Sequence, residues 1–587
     1  MAALIELDPA PSTSVGEVDF AVTEAARTNR GITATVIARN DRTLHSDEVR
    51  LARPASRAAF AEHMATEHGL DRAEVEAALL ELLVAVEGAA RQPRRPARPG
   101  GNQAAVLLEA AGEAELFHTP SGVPHATVPA TAGSHRETHK VRSPGFRQWL
   151  SHRYFQASGG APGGQAVQDA LGVIDARARF DGPEHPVFVR VAERAGEVVI
   201  DLGTQDRSVV VVTPEGWRVE PVSPVRFIRA GGTAPLSVPV RGGRVDDLRR
   251  FLNVASDDDF ALLLGWLVSA FRESGPKPLL VLNGEQGSAK SSTARVLRRL
   301  IDPNTSPLRS EPRDVRELMI SAANAWVLCY DNMSFIEGWL SDALCRLSTG
   351  GGFSARELYS DTEEVLFEAR RPVIVNGIDE LATRSDLLDR AVLVNLPVIP
   401  AGRRRGEAEL WAEFEREQPR VFGALLTAVA TGLRREPQVR LPSPPRLADF
   451  ARWAVAAEPG LGLAGGQFLS AYEANRGAAH ELALEASVIG PWVQRLVATS
   501  DFCGTAAELL RRLGSLARAE QGGVQPRGWP RTPKMLSDQL RRLRPNLPSV
   551  GITVDFDRTP DRMRTRIVTI RNTAWSSQRM VDSRKAV

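Results

Sequence analysis

The sequence predicts an α/β protein whose nucleotide-binding core lies between a β-rich N-terminal region and helical and basic C-terminal parts. Three observations carry this. A buried strand opens into a glycine-rich loop and then a helix at "PLLVLNGEQGSAKSSTARVLRRLI" (278–301). Two later apolar runs end in Asp331 and Asn376. The last hundred residues read helix, helix, β-hairpin with a concentration of arginine.

The chain has 587 residues, room for three or four domains, and its 43% hydrophobic content is that of a globular protein. No apolar run reaches the length of a membrane span, and "MAALIELDPAPSTSV" lacks the basic start and apolar core of a secretion signal, so the expected location is the cytoplasm. Cys329, Cys345 and Cys503 form no C-x-x-C pair, which argues against a disulfide framework and a cysteine zinc site. Net charge is only +2, so affinity for nucleic acid must come from local distribution. Of the 73 basic residues only five are lysines: 140, 277, 290, 534 and 585.

Residues 1–90 read as a small α/β domain, with "GITATVIARN" strand-like and "SRAAFAEHMATEHG" and "DRAEVEAALLELLVAVEGAA" helical. "RQPRRPARPGG" (91–101) is a linker. Residues 102–245 read as β-rich, from "PVFVRVA", "EVVIDLG", "SVVVVTPEGWRV" and "PVRFIRA", with no catalytic constellation. "HRETH" (135–139) spaces two histidines as a zincin helix does. Arg136 stands where that motif needs glutamate, so His135 and His139 read as exposed loop residues. Residues 246–274 read as two helices leading into the strand "PLLVLN".

The loop Gly284, Glu285, Gln286, Gly287, Ser288, Ala289, Lys290, Ser291, Ser292 has the spacing of a phosphate cradle. Glycines let backbone N–H groups approach the β-phosphate of ATP at the helix N-terminus. Lys290 would reach the β/γ-phosphates, and Ser291 would ligate Mg²⁺. A lysine retained in so arginine-biased a chain argues against coincidence, since a guanidinium fork cannot replace the compact ammonium there. Ala289 stands where glycine is usual. If position 289 needs positive φ, alanine costs on the order of 1 kcal/mol.

"AWVLCYDN" (325–332) ends a buried run in Asp331, placed to hold Mg²⁺ from a neighbouring strand together with Ser291. "RRPVIVNG" (370–377) ends a second in Asn376, whose amide could orient the attacking water. In "RSDLLDRAVLVNLP" either Arg390 or Arg384 could serve as an arginine finger on a neighbouring subunit's γ-phosphate, Arg390 being the favoured one. Lys290, Asp331, Asn376 and Arg390 are thus the expected catalytic set.

These three motifs fall within residues 284–376, and between them lies "LCRLSTGGGFSARELYSDTEEVLFEARRPVIVNG" (344–377). Over roughly residues 246–400 the chain resembles the superfamily 3 helicases of the AAA+ class, closest to the primase-associated helicase domain of phages, plasmids and poxviruses. The resemblance implies a P-loop AAA+ ATPase core (246–400), a hexameric ring, Asn376 in the sensor 1 role, and a β-hairpin gripping single-stranded DNA in the channel. Arg356 is best placed for that contact, with Arg370 and Arg371 secondary. Many relatives carry a second acid where this chain has Asn332, which leaves the general base unassigned.

Residues 401–494 read as a helical bundle and 495–575 as a winged helix, followed by a tail, 576–587. From 527 to 571 there are eleven Arg/Lys against four acids, an electrostatic footprint for DNA phosphates. Lys534, Gln539, Arg541 and Arg542 would face the groove from the second helix, and Arg562, Arg564 and Arg566 from the wing. A winged helix that binds protein is the alternative.

The leading expectation is an ATP- and Mg²⁺-dependent DNA helicase or translocase of a phage- or plasmid-type replication system. Primase chemistry, for which no carboxylate cluster is evident, would come from a separate partner. Two alternatives are a DNA-binding initiator or loader that uses ATP as a switch, and a regulatory or defence protein that holds nucleotide structurally.

Overall fold

The computed structural model describes residues 3–5, 10–28, 31–40, 43–91, 102–129, 135–356, 364–377, 384–520, 524–560 and 564–573, and for 3–5, 27–28, 31, 88–91, 353–356 and 364–368 the backbone alone. The chain divides into two units, residues 1–112 with 142–174, and residues 113–141 with 175–587.

In the first unit, strands β1 (Ala3–Ile5), β2 (Ser12–Val15), β3 (Val18–Thr28), β4 (Gly31–Arg39) and β5 (Thr43–Val49) form an antiparallel sheet. Alternate residues of β4 (Ile32, Ala34, Val36, Ala38) are buried, which turns one sheet face inward. Helices α1 (Pro54–His68) and α2 (Arg72–Arg91) cover that face with Phe60, Met64, Leu79 and Leu82. Helices α3 (Gln103–Ala110), α4 (Pro144–Ser158) and the start of α5 (Gly164–Phe180) complete the unit. The region read as β-rich therefore holds three helices. For α4 a signal was present: Ser143 accepts a hydrogen bond from Phe146 N, Pro144 follows it, and Phe146, Leu150 and Tyr154 repeat at helical spacing on the buried face.

The second unit opens with a three-stranded antiparallel sheet, β6 (Glu115–His118), β7 (Pro124–Pro129) and β8 (Arg136–Lys140). His139 is thus on a strand, half-buried and 3.2 Å from Glu137, rather than in an exposed loop. The short strands β9 (Val187–Phe188) and β14 (Arg226–Phe227) pair with each other. Between them in sequence runs a meander of β10 (Val191–Arg194), β11 (Glu197–Asp201), β12 (Val209–Thr213) and β13 (Gly216–Glu220).

Of the two helices expected across 246–274, the first is a 3₁₀ turn, Val245–Arg250. The second, α6 (Asp257–Ala270), is capped by the Ser256 hydroxyl and carries Asp257, Asp258 and Asp259 in its first turn, where the helix dipole favours anions. From Phe260 onward every residue of α6 is buried, so it is a core helix and not an amphipathic one.

Next come β15 (Leu279–Asn283), α7 (Lys290–Ile301), α8 (Val315–Asn324), β16 (Leu328–Met333) and α9 (Gly338–Thr349). A hairpin of β17 (Gly352–Arg356) and β18 (Glu364–Glu368) follows, then β19 (Val373–Gly377), α10 (Ser385–Leu388) and β20 (Ala391–Asn395). The four strands β16-β19-β15-β20 form one parallel sheet in that order. Their side chains alternate between two cores. Leu280, Leu282, Ile374 and Val392 join α6 on one face; Leu279, Val281, Val375 and Leu393 join α9 and α10 on the other. Burial on both faces is why these strands read as unbroken apolar runs.

Helices α11 (Glu407–Arg435), α12 (Ala448–Leu461) and α13 (Gln467–Glu485) follow, as the helical reading of this stretch expected. The chain then runs α14 (Gly490–Val497), β21 (Phe502–Gly504), α15 (Ala506–Glu520), α16 (Pro533–Leu543), β22 (Ile552–Arg558) and β23 (Arg566–Asn572), with sheet order β21-β23-β22. Their apolar cluster starts before residue 495, taking in Ile489, Trp492 and Val493 of the α14 region beside Leu513, Leu540 and Ile570.

Candidate functional site

Strand β15 delivers the glycine loop to the C-terminal edge of the parallel sheet, where strand order places three motifs side by side. Gly284 has φ 155° and Gly287 φ 85°, backbone that side chains resist. A Cβ on Gly284 would also lie 2.5 Å from Leu396 O, so position 284 is closed to larger residues twice over. Ala289 has φ 63° and ψ 31°, the left-handed conformation in which alanine is strained. The loop adopts the glycine-demanding shape despite the alanine.

Lys290, the first residue of α7, folds back over the loop. Its Nζ donates to Gly284 O at 2.7 Å and Glu285 O at 2.9 Å. Partial burial lowers its pKa while Asp331 opposes the shift. Ser291 Oγ donates to Asp331 Oδ1 at 2.8 Å, joining the start of α7 to the end of β16. The hydroxyl and the carboxylate are hard oxygen donors of the kind Mg²⁺ takes, converging beside the loop, so the residues present fit the ion. Ser292 is half-buried in the first turn of α7, and Glu285 and Gln286 lie on the loop itself.

Asp331 is not on the strand next to β15. That place belongs to β19, with Leu282 in register with Asn376, and β16 lies one strand further out. Asn376 is 1% exposed, and its Oδ1 accepts from Asn332 N at 2.9 Å. Its Nδ2 is buried without a partner among the described residues. A buried, unsatisfied amide donor beside the loop is costly unless something fills the site. Asn332 itself has φ 56° and sits where the β16–β19 register shifts between Tyr330 and Met333.

Sequence reasoning missed the residues that brace the loop from outside the motif. Asn253 Nδ2 donates to Ser288 O at 3.0 Å and Pro397 O at 2.5 Å. Leu396 N donates to Asn283 O at 2.8 Å and Ile399 N to Gly287 O at 3.2 Å, laying the segment after β20 along the loop. Arg404 on this segment brings its guanidinium within 3.5 Å of where a Gly287 Cβ would stand. No spacing rule links such distant residues; only the fold does.

Arg390 lies at the other end of the sheet, its carbonyl accepting from Leu279 N at 2.9 Å at the start of β15. Its Nη1 donates to Asp386 O at 2.7 Å. Arg384 precedes α10 and pairs with Asp342 at 2.7 Å and Asp386 at 3.3 Å. Arg356 ends β17, and its backbone pairs with Glu364; the segment 357–363 lies outside the described residues. Arg371 departs from the expected DNA-facing role: it is half-buried, donates to Ala322 O at 2.8 Å and lies over the Trp326 ring, so its guanidinium is engaged in packing. Arg370, its neighbour, is half-buried.

At the C-terminus, Lys534, Arg541 and Arg542 on α16 are exposed. Arg541 stacks on Phe556 at 4.7 Å, and Lys534, Arg541, Arg558 and Arg566 border one groove between α16 and the β22–β23 hairpin. Arg564 is exposed with φ 46°. Arg562 lies outside the described residues. Gln539 departs from expectation: it is half-buried, and its Oε1 is enclosed without a partner among the described residues.

Residues 245–480 match the family model of the actinomycete integrative conjugative element replication protein, and residues 489–580 match that of the AICE RepA C-terminal domain. These matches support a replication-related function. No curated protein matches the chain. Among solved structures, the apo A form of the NrS-1 C-terminal region is similar at 12% identity, covering 80% of this chain and 98% of that one with TM-score 0.37. The X-ray structure of JCV helicase is similar at 12% identity, covering 38% of this chain and 66% of that one, with TM-score 0.18. No helix among the described residues is long and apolar enough to cross a membrane.

Proposed function

We propose that this protein is an ATP-driven DNA helicase or translocase serving replication of an integrative element, with a P-loop AAA+ core of the superfamily 3 type. One observation carries the reading. Lys290, Ser291, Asp331 and Asn376, from three separate stretches of sequence, meet at one edge of a parallel sheet, with the Ser291–Asp331 contact at 2.8 Å.

In this reading the loop N–H groups and Lys290 hold the phosphates of ATP, replacing the two carbonyls Lys290 now contacts. Ser291 and Asp331 would hold Mg²⁺, which when bound offsets phosphate charge. Asn376 Nδ2, the unpartnered donor, would orient the attacking water. Arg390 would act on the neighbouring subunit's nucleotide in a ring of six. The β17–β18 hairpin would present Arg356 to single-stranded DNA in the channel. Residues 489–573 have the helix-strand-helix-helix-strand-strand order of a winged helix, with α16 as the groove-reading helix.

A second reading, an initiator or loader that switches on ATP without unwinding, is favoured by one feature. Asn332 occupies the place of a second acid and spends its N–H on Asn376, which suits slow hydrolysis.

ATPase turnover with and without single-stranded DNA, measured beside unwinding of a forked duplex, tests both. DNA-stimulated turnover with unwinding, both lost in Lys290→Ala, is the result expected. Turnover without unwinding selects the switch. Absence of ATP binding by the wild-type protein overturns both.

A further inference from the structure

Beyond both matched ranges, within residues 115–229, the second unit has an open cavity of about 330 Å³ bordered by four arginines. Arg136 enters from the start of β8, Arg207 from the turn between β11 and β12, Arg226 from β14, and Arg229 from just beyond it. We propose that this cavity is a binding site for a phosphate monoester the size of a mononucleotide, separate from the glycine loop.

The charge balance is the first argument. Arg229 grips Asp201, donating from Nε to Oδ2 at 2.7 Å, and this carboxylate is almost wholly buried. Arg207 pairs with Glu137, and Arg226 pairs with Glu115. Arg136 reaches Glu115 only at 4.0 Å and keeps half its side chain exposed. Four guanidiniums thus share three carboxylates, with His135 also on the wall. Crowding shows in Arg207, whose pKa is lowered by burial and by Arg229.

The second argument is an unspent donor. Arg226 lines the cavity and pairs with Glu115, and its buried Nε has no partner among the described residues, so a small turn of the guanidinium toward a bound phosphate gives that donor an acceptor. The guanidinium fork matches phosphate geometry with paired donors, and neutralising the surplus charge removes the crowding.

The third is the wall itself. Val209 and Phe227 are buried apolar neighbours of the arginines, and Pro224 and Val225 continue that surface. Such a wall suits the sugar and base of a nucleotide better than it suits a free ion. Arg207 holds φ 58°, a left-handed conformation uncommon for a residue with a side chain.

Calorimetric titration of the full-length protein tests this, with deoxythymidine monophosphate and inorganic phosphate as separate probes and Mg²⁺ omitted. Saturable binding of the monophosphate is expected, weakened about tenfold or more in Arg226→Gln and in Arg136→Gln. Binding should persist in Lys290→Ala, which disables only the glycine loop. Arg136 is half-exposed, so its variant tests the idea even if Arg226→Gln does not fold. Inorganic phosphate binding with the same losses also supports the site. Absence of saturable binding by either probe overturns the proposal. So does binding that both arginine variants retain, or that Lys290→Ala removes.

Discussion

Ser291 and Asp331, forty residues apart, are joined by a hydrogen bond of 2.8 Å from hydroxyl to carboxylate. Asp331→Asn keeps an acceptor for Ser291 while removing the charge a divalent cation needs. Mg²⁺-dependent ATP turnover should fall on the order of 100-fold, with the thermal midpoint nearly unchanged. Steady-state kinetics across a Mg²⁺ series checks this, and wild-type turnover in the variant would remove Asp331 from the metal site.

Ala289 is held at φ 63°. A left-handed alanine costs roughly 1–2 kcal/mol, part of which glycine gives back as chain entropy. Ala289→Gly should therefore raise stability by about 0.5–1 kcal/mol and tighten ATP binding. Urea denaturation and calorimetry provide the measurements. A destabilised variant would mean that the loop is not strained at this residue.

Arg390 and the glycine loop lie at opposite ends of β15, a strand of five residues or roughly 15 Å. Arg390 points to Asp386 O, so it cannot serve its own loop, and any contact with a γ-phosphate is in trans. Arg390→Ala should bind ATP normally and turn it over on the order of 1000-fold more slowly. Mixing it with Lys290→Ala should restore part of the activity, because some interfaces then combine an intact loop with an intact arginine. Without rescue in mixed oligomers, the role passes to Arg384 or the ring is abandoned.

Lys534 and Arg542 are exposed on α16, whereas Gln539 is half-buried with its Oε1 enclosed. Lys534→Ala and Arg542→Ala should each lower the salt-dependence slope of duplex binding by about one. Gln539→Ala should leave that slope alone and reduce stability slightly. Fluorescence anisotropy over a salt series distinguishes the three, and unchanged slopes would remove α16 from the DNA surface.

Lys277, just before β15, is 2% exposed, and burial holds its pKa down at about 7 against an ordinary 10.5. Its Nζ donates to Ser269 O and Ser274 O. Between pH 7 and 10.5 the unfolded chain carries a proton that the folded chain lacks, so this group makes stability rise with pH. The slope is at most about 1.4 kcal/mol per pH unit, and the full penalty stands below pH 7. Lys277→Met should thus stabilise the protein most at or below neutral pH, with the gain shrinking toward about pH 10. Urea midpoints at a series of pH values test it, and a gain that grows with pH would contradict the assignment.

Local chemistry made much of this legible in sequence. The glycine loop, Lys290 and the apolar runs ending at Asp331 and Asn376 are contiguous signals, each readable because strand burial and loop geometry restrict residue type over a few positions. The helix-helix-hairpin order of the C-terminus was readable for the same reason. The helices α3, α4 and α5 were obscured by the apolar β runs that follow them, although Ser143-Pro144 marked the start of α4.

Tertiary structure alone decided which of these segments meet. Sheet order places Asn376 beside the loop strand and Asp331 one strand beyond, a matter of crossover connections that no local pattern encodes. It laid the half-buried Arg371 over Trp326 and enclosed Gln539 Oε1, because orientation on an element depends on what packs against it. It also joined Arg190 to Asp302, 112 residues apart and both buried, at 2.9 Å. Short-range sterics restrict a residue to its neighbours along the chain, whereas such a pairing forms only when burial brings distant segments together, and here backbone carbonyls and N–H groups satisfy the rest of both charges.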